Sequence, residues 1–220
     1  LATPALALAT YVLVGLVLPV WFRAPRFYFG FNQLKHPGVP GAALLCLLGA
    51  AALLLYRRRP RRAGEAVERL TSALVARRWL LIGVGLLSAA VCFGLRSNFL
   101  NQDSIDLTWK LPRDVPLEGA HVTHDEMWEL YLHSRFWHIT HRLAGWSVTL
   151  SYQVLSSLAG GVFVPLLLVY ARLLVPRRAL ALAGLVASGA FMQLFFGDPE
   201  NYTLTAVLVL AYLYASALHL

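Results

Sequence analysis

The stretch "LSYQVLSSLAGGVFVPLLLVYAR", residues 150–172, decides the fold class, because its single charge is the arginine at its end. A helix needs about 20 apolar residues to cross the hydrocarbon core of a bilayer, so this run reads as a membrane span. Similar runs lie near residues 5–22, 40–56, 79–95, 180–197 and 203–219. The expected fold class is therefore all-α, a polytopic transmembrane helical bundle of about six spans. Composition agrees: 58% of the 220 residues are hydrophobic and 14% are charged. The first run has neither a basic leader nor a small-residue cleavage site, so it is expected to be a span and not a signal peptide. The sequence starts without Met and stops inside the apolar run "LTAVLVLAYLYASALHL". The expectation is a piece of a longer protein, with residues 1–220 forming a single transmembrane domain.

Arginines give the orientation. "YRRRPRRAGEAVERLTSALVARR", residues 56–78, joins the second and third spans with eight arginines against two glutamates, and "ARLLVPRR", residues 171–178, joins the fourth and fifth. The positive-inside rule places both in the cytoplasm together with the amino terminus. Residues 96–149 and the short "GDPENYT" turn, 197–203, then face outward as an extracytoplasmic loop and an outer turn. The net charge of +8 is accounted for by this topology and by anionic headgroups, and no nucleic-acid partner is expected. The integral partner is the lipid bilayer, and the expected location is a bacterial inner (plasma) membrane.

Acidic residues show the opposite bias. Asp103, Asp106, Asp114, Glu118, Asp125, Glu126, Glu129, Asp198 and Glu200 all fall on the outer side, and only Glu65 and Glu68 are cytoplasmic. Acidic residues contribute little to topology, so the bias points to a site or to a solvated loop. Cys46 and Cys92 lie within expected spans and pack as small apolar residues, with no disulfide framework to argue.

Within the long outer loop, "THDEMWELYLHSRFWHITHRLAGWSV", residues 123–148, reads as an amphipathic interfacial helix. Thr123 is the candidate N-cap and Glu126 its capping-box partner. Met127, Leu130, Tyr131, Ser134 and Trp137 or His138 follow at helical spacing as its apolar face. Asp125 and Glu126 in a first turn are also what the helix dipole favours, a purely structural reading. His133, His138 and His141 with Glu129 have spacings that metal-binding helices use, but histidine and tryptophan also suit the headgroup layer. In "FMQLFFGDPENYTL", residues 191–204, a chain reversal explains Gly197, Asp198 and Pro199. It leaves Glu200 unexplained, since a carboxylate at the mouth of two spans needs a partner or water.

An outer Asp in "NQDS", an Asp-Glu pair in "THDEMW", an amphipathic helix, the span "SYQVLSSLAGGVFV" and then "FFGDPENYTL" together resemble the GT-C superfamily of integral-membrane glycosyltransferases. The likeness is to bacterial members carrying a Phe-Phe-Gly-x-x-Glu-Asn-Tyr turn, in the broad class that includes protein O-mannosyltransferases and aminoarabinose transferases. It covers roughly residues 79–220. Two spans precede the third, which the loop follows here, where better-known members place the loop after the first, and six spans are fewer than such enzymes usually have.

The resemblance implies transfer of a sugar from a polyprenyl-phosphate donor to an acceptor at the extracytoplasmic face. Its catalytic carboxylates would be Asp103, Asp125 and Glu126, one of them a general base for the acceptor hydroxyl. Candidate substrate-binding residues are His124, Arg135, Glu200, Asn201 and Tyr202. Arg96, Arg135 or Arg142 would stabilise the departing phosphate, with a divalent metal as the other possibility and no further cofactor expected. The alternative from another class is a transporter or channel-like protein with an acidic outer vestibule, which would need ionisable groups deep in the membrane.

Overall fold

The computed structural model describes residue 58 and residues 60–96, 127–187, 190–196 and 202–219. Every regular element among them is helical, with no strand. The chain divides into two compact units, one made of residues 1–78 and 171–192, the other of 79–170 and 193–220.

In the first unit the arginine-rich segment, expected as a connecting loop, forms helix α1, Pro60–Ala76. Thr71 is buried on α1 and donates its hydroxyl to the Val67 carbonyl at 2.7 Å, which satisfies a polar group that burial would otherwise penalise.

Helix α2, Arg78–Gly94, covers the apolar run 79–95 to within one residue at each end. Helix α3, Met127–Ala144, falls within the segment 96–149 expected as a loop. Helix α4, Val148–Leu174, extends the run 150–172 by two residues at each end. It is the one helix among the described residues that is by itself long and apolar enough to cross a membrane.

The last turn of α4 belongs to the first unit. There the Arg172 guanidinium donates to the Pro176 carbonyl and a short 3-10 turn, Pro176–Arg178, follows. Helix α5, Ala179–Ala187, packs on α1 and buries the small side chains of Ala179 and Ala183 one turn apart. The expected fifth span, 180–197, is thus not one continuous helix. Its described residues form α5 and a 3-10 segment, Ala190–Phe196. Helix α6, Thr203–Leu218, is a shorter apolar helix at the position of the expected sixth span.

The second unit is held by close backbone approach. A Cβ on Gly85 of α2 would lie 2.7 Å from the Gly161 carbonyl oxygen of α4, and a Cβ on Gly161 would meet the Gly85 carbonyl at 2.8 Å and the Ala89 Cβ at 2.9 Å. Small residues at such crossings let the helix backbones approach closely. Pro165 has no N–H, so it frees the Gly161 carbonyl four residues back from its usual helical donor, and this is the carbonyl that faces Gly85. Gly160 lies against Phe195 and Cys92 in the same way, and Phe195 is fully buried beside Phe163, their ring centroids 4.9 Å apart.

Between α3 and α4 the chain reverses in three residues. Gly145 adopts φ 68°, the left-handed conformation that glycine tolerates, and its N–H returns to the His141 carbonyl at 2.8 Å. Ser147 then caps α4, its hydroxyl accepting from the Leu150 N–H at 3.1 Å. The Trp146 carbonyl accepts from Trp137 Nε1 at 3.2 Å and from His141 Nδ1 at 2.9 Å, so His141 carries its proton on Nδ1. With Trp137, Val148 and Tyr152 buried together and Leu130 packed on them, these bonds set α3 against the start of α4.

Candidate functional site

The face that α3 turns inward is unusually polar for a buried helix face. Glu129, His133, Trp137 and Thr140 follow at i, i+4, i+8 and i+11, and the first two are each only 1% exposed. This face is rotated from the expected one. Tyr131 is exposed, while Leu130 and Trp137 are turned inward.

The Glu129 carboxylate meets the first turn of α6. Its Oε1 accepts from the Thr203 hydroxyl at 3.0 Å and from the Leu204 N–H at 2.8 Å. Its Oε2 accepts from the Thr205 N–H at 3.2 Å and from the Thr205 hydroxyl at 2.7 Å. A helix start presents N–H groups without intrahelical partners and a positive dipole end, so an anion there is doubly favoured. Here the anion comes from a residue 74 positions earlier in the chain. Burial pushes the Glu129 carboxyl up, but the His133 ring nearby and the donors of Thr205 and Leu204 outweigh it and hold the group below its ordinary value of 4.5. Glu129 is therefore ionised at neutral pH and fully engaged. It is an anchor, not a free base.

His133 sits one turn further along. Its ring stacks on Tyr152 with centroids 3.9 Å apart and an interplanar angle of 11°. Nε2 lies 3.9 Å from Glu129 Oε1, beyond hydrogen-bond reach. Burial lowers the imidazole's affinity for a proton more than the nearby carboxylate raises it, which keeps His133 neutral. Among the described residues neither ring nitrogen has a hydrogen-bond partner, and the hydroxyls of Ser156 and Ser157 on α4 are likewise unpartnered. Thr140 and Ser151 close the polar seam with a 2.9 Å hydroxyl contact.

No family model, no curated protein and no solved structure matches the chain. The site is therefore read from its own geometry.

Of the residues singled out from sequence, Arg135 and Tyr202 fall on described positions. Arg135 is exposed on α3, its guanidinium 5.2 Å from the centroid of the Tyr131 ring. Tyr202 is exposed at the N-cap of α6, where its carbonyl accepts from the Ala206 N–H at 2.9 Å. Asp103, His124, Asp125, Glu126, Glu200 and Asn201, together with the capping box at Thr123, lie outside the described residues. Of the arginines considered for a phosphate, Arg96 is turned back on its own helix. It donates to the Phe93 carbonyl at 3.0 Å, with its guanidinium 4.3 Å from the Phe93 ring centroid.

The histidine cluster considered for a metal does not converge. His133 points inward, His141 is bonded to the turn, and His138 lies on another face beside Arg135 and Arg142. Among the described residues there is no group of three or more metal-ligating side chains. Sequence reading weighed Glu129 only with those histidines and missed its role as an anchor. The available signal was the Thr-x-Thr pattern at the start of α6, which offers hydroxyl and N–H donors to an anion.

Proposed function

We propose that this chain is a polytopic membrane glycosyltransferase of about six spans, moving a sugar from a polyprenyl-phosphate donor to an acceptor hydroxyl at the extracytoplasmic face. The observation that carries this reading is the Glu129 junction. It ties α3, which follows directly on Asp125-Glu126 in sequence, to α6, which follows directly on Glu200-Asn201-Tyr202. The two motifs that carry the resemblance to GT-C enzymes are thus each covalently continuous with one side of a single buried anchor.

In the reaction the acceptor oxygen attacks the anomeric carbon, the bond from that carbon to the phosphate oxygen breaks, and the acceptor's proton passes to a carboxylate. Asp103 is our choice of base, with Asp125 and Glu126 as the other candidates. Arg135 or Arg142 supplies the cation that stabilises the departing polyprenyl phosphate. Glu129 plays no chemical part, because its acceptor positions are taken by α6.

A transporter would use the buried Glu129–His133 pair as its ionisable site. Four donors holding the carboxylate in place argue against a group that must exchange its proton or ligand during a cycle. The test compares sugar transfer by Asp103→Asn, Asp125→Asn and Glu126→Gln at matched protein levels. Asp103→Asn should lose on the order of a hundredfold or more in rate, the scale of a missing general base. Normal transfer by all three variants would overturn the mechanism.

A further inference from the structure

Helix α3 carries two stripes beside its buried face, one apolar and exposed, the other basic with two exposed arginines on either side of a half-buried histidine. Trp128, Leu132, Ile139 and Leu143 are all exposed, Leu143 by 82%, and they fall within roughly 60° of arc on a helix of 3.6 residues per turn. Arg135, His138 and Arg142, at i, i+3 and i+7, form a second stripe immediately beside the first. The three are electrically close: burial and the charges of Arg142, Arg135 and His141 all lower the proton affinity of His138. No carboxylate lies within one helical turn of any of them on α3.

We propose that this double stripe is a docking surface for anionic phospholipid, with the apolar residues in the acyl boundary and Arg135, His138 and Arg142 on the headgroup phosphates. The inference rests on the membrane location proposed above but not on sugar transfer.

Charge complementarity chooses the occupant. A neutral bilayer would leave the Arg135 and Arg142 guanidiniums, crowded one on each side of a neutral His138, without counterions, and a soluble anion would leave the apolar stripe in water. An in-plane helix with basic residues flanking an apolar stripe satisfies both at an anionic surface. Arginine suits the role because its planar fork reaches phosphate oxygens while its methylene stem stays in the apolar layer. The opposite side of the same helix is fastened by Glu129 and by the Trp137 and Thr140 contacts. The lipid-facing stripe is therefore held at a fixed rotation.

The experiment uses the full chain, with Cys46 and Cys92 replaced, and a spin label at Ile139→Cys. The protein is reconstituted in nanodiscs of phosphatidylcholine alone or with phosphatidylglycerol added. Collision of the label with oxygen and with a water-soluble nickel chelate reports its depth. In the mixed discs the label should favour oxygen, and native mass spectrometry should find phosphatidylglycerol retained on the protein. Arg135→Gln with Arg142→Gln should weaken that retention about thirtyfold, since each basic residue near an anionic surface is worth about fivefold. Thermal unfolding should stay unchanged, because both residues are exposed.

Three results would overturn the proposal. One is a label that meets the chelate equally in both discs. Another is retention that ignores the two arginines. The third is retention of added polyprenyl monophosphate but not of phosphatidylglycerol, which would restrict the stripe to the phosphate of the sugar donor that Arg135 or Arg142 meets in the proposed reaction. Wild-type protein that retains phosphatidylglycerol but transfers no sugar would count against the proposed reaction and leave this surface standing.

Discussion

Replacing Glu129 with alanine should cost roughly 3–5 kcal/mol of stability, the range seen when one partner of a buried charged contact is removed. The substitution leaves the N–H groups of Leu204 and Thr205 facing a hole, each worth about 1–3 kcal/mol when buried without an acceptor. It also removes the anion at the positive end of α6, worth about 0.3–2 kcal/mol. The hydroxyls of Thr203 and Thr205 can turn to other acceptors, so they add little. Against a typical total of about 5–15 kcal/mol this is a large share.

Glu129→Gln is milder. The amide oxygen can still serve the Thr203 hydroxyl and the Leu204 N–H, but the amide NH₂ then opposes the Thr205 N–H, for a loss of about 1–3 kcal/mol. Unfolding by sodium dodecyl sulfate titration in mixed micelles would rank wild type, Glu129→Gln and Glu129→Ala in that order. A double-mutant cycle of Glu129→Gln with Thr205→Val should give a coupling of about 0.5–3 kcal/mol. Wild-type stability for Glu129→Ala, or zero coupling to Thr205, would refute the anchor.

Gly160→Ala and Gly161→Ala should each destabilise by about 1–3 kcal/mol, because the new methyl group meets Phe195 or the Gly85 carbonyl at under 3 Å; micelle unfolding checks both. Acid should weaken the fold as pH falls below 6.5 and again below 4.5, the ordinary values of the His133 and Glu129 groups. The sign follows from both folded-state affinities being lowered, so the unfolded chain binds more protons and stability rises with pH. Equal stability at pH 7.5 and 5.5 would contradict the buried neutral imidazole, and His133→Gln should flatten the upper part of the slope. A single cysteine at Ser104, with Cys46 and Cys92 replaced, should react with an impermeant reagent in intact cells; reaction only after lysis would reverse the orientation.

The apolar helices were legible because one-dimensional patterns specify them. The run 150–172 became α4 almost residue for residue, and 79–95 and 203–219 became α2 and α6. The hairpin between α3 and α4 was also written locally, in Gly145 and Ser147, but those residues were read only as part of a helical stretch. The arginine-rich segment was read by its charge, which hid the helical periodicity that makes it α1. What no local pattern carries is pairing across the chain. Glu129 looks like any acidic residue in a first helical turn until Thr203–Thr205, some 75 residues later, are placed against it. The rotation of α3 was off for the same reason. Its apolar residues occupy more than one face, and only the Glu129 and Trp137 contacts decide which of them turn inward.

The most direct test of the central claim is transfer itself. The purified, folded chain would be reconstituted with a polyprenyl-phosphate-linked sugar, and released polyprenyl phosphate and unreacted donor would be measured by mass spectrometry. The account predicts that wild type binds the donor and consumes it in the presence of a hydroxyl acceptor. Asp103→Asn should still bind the donor but release polyprenyl phosphate on the order of a hundredfold more slowly. Folded wild-type protein that neither retains nor consumes any polyprenyl-phosphate donor would contradict the account.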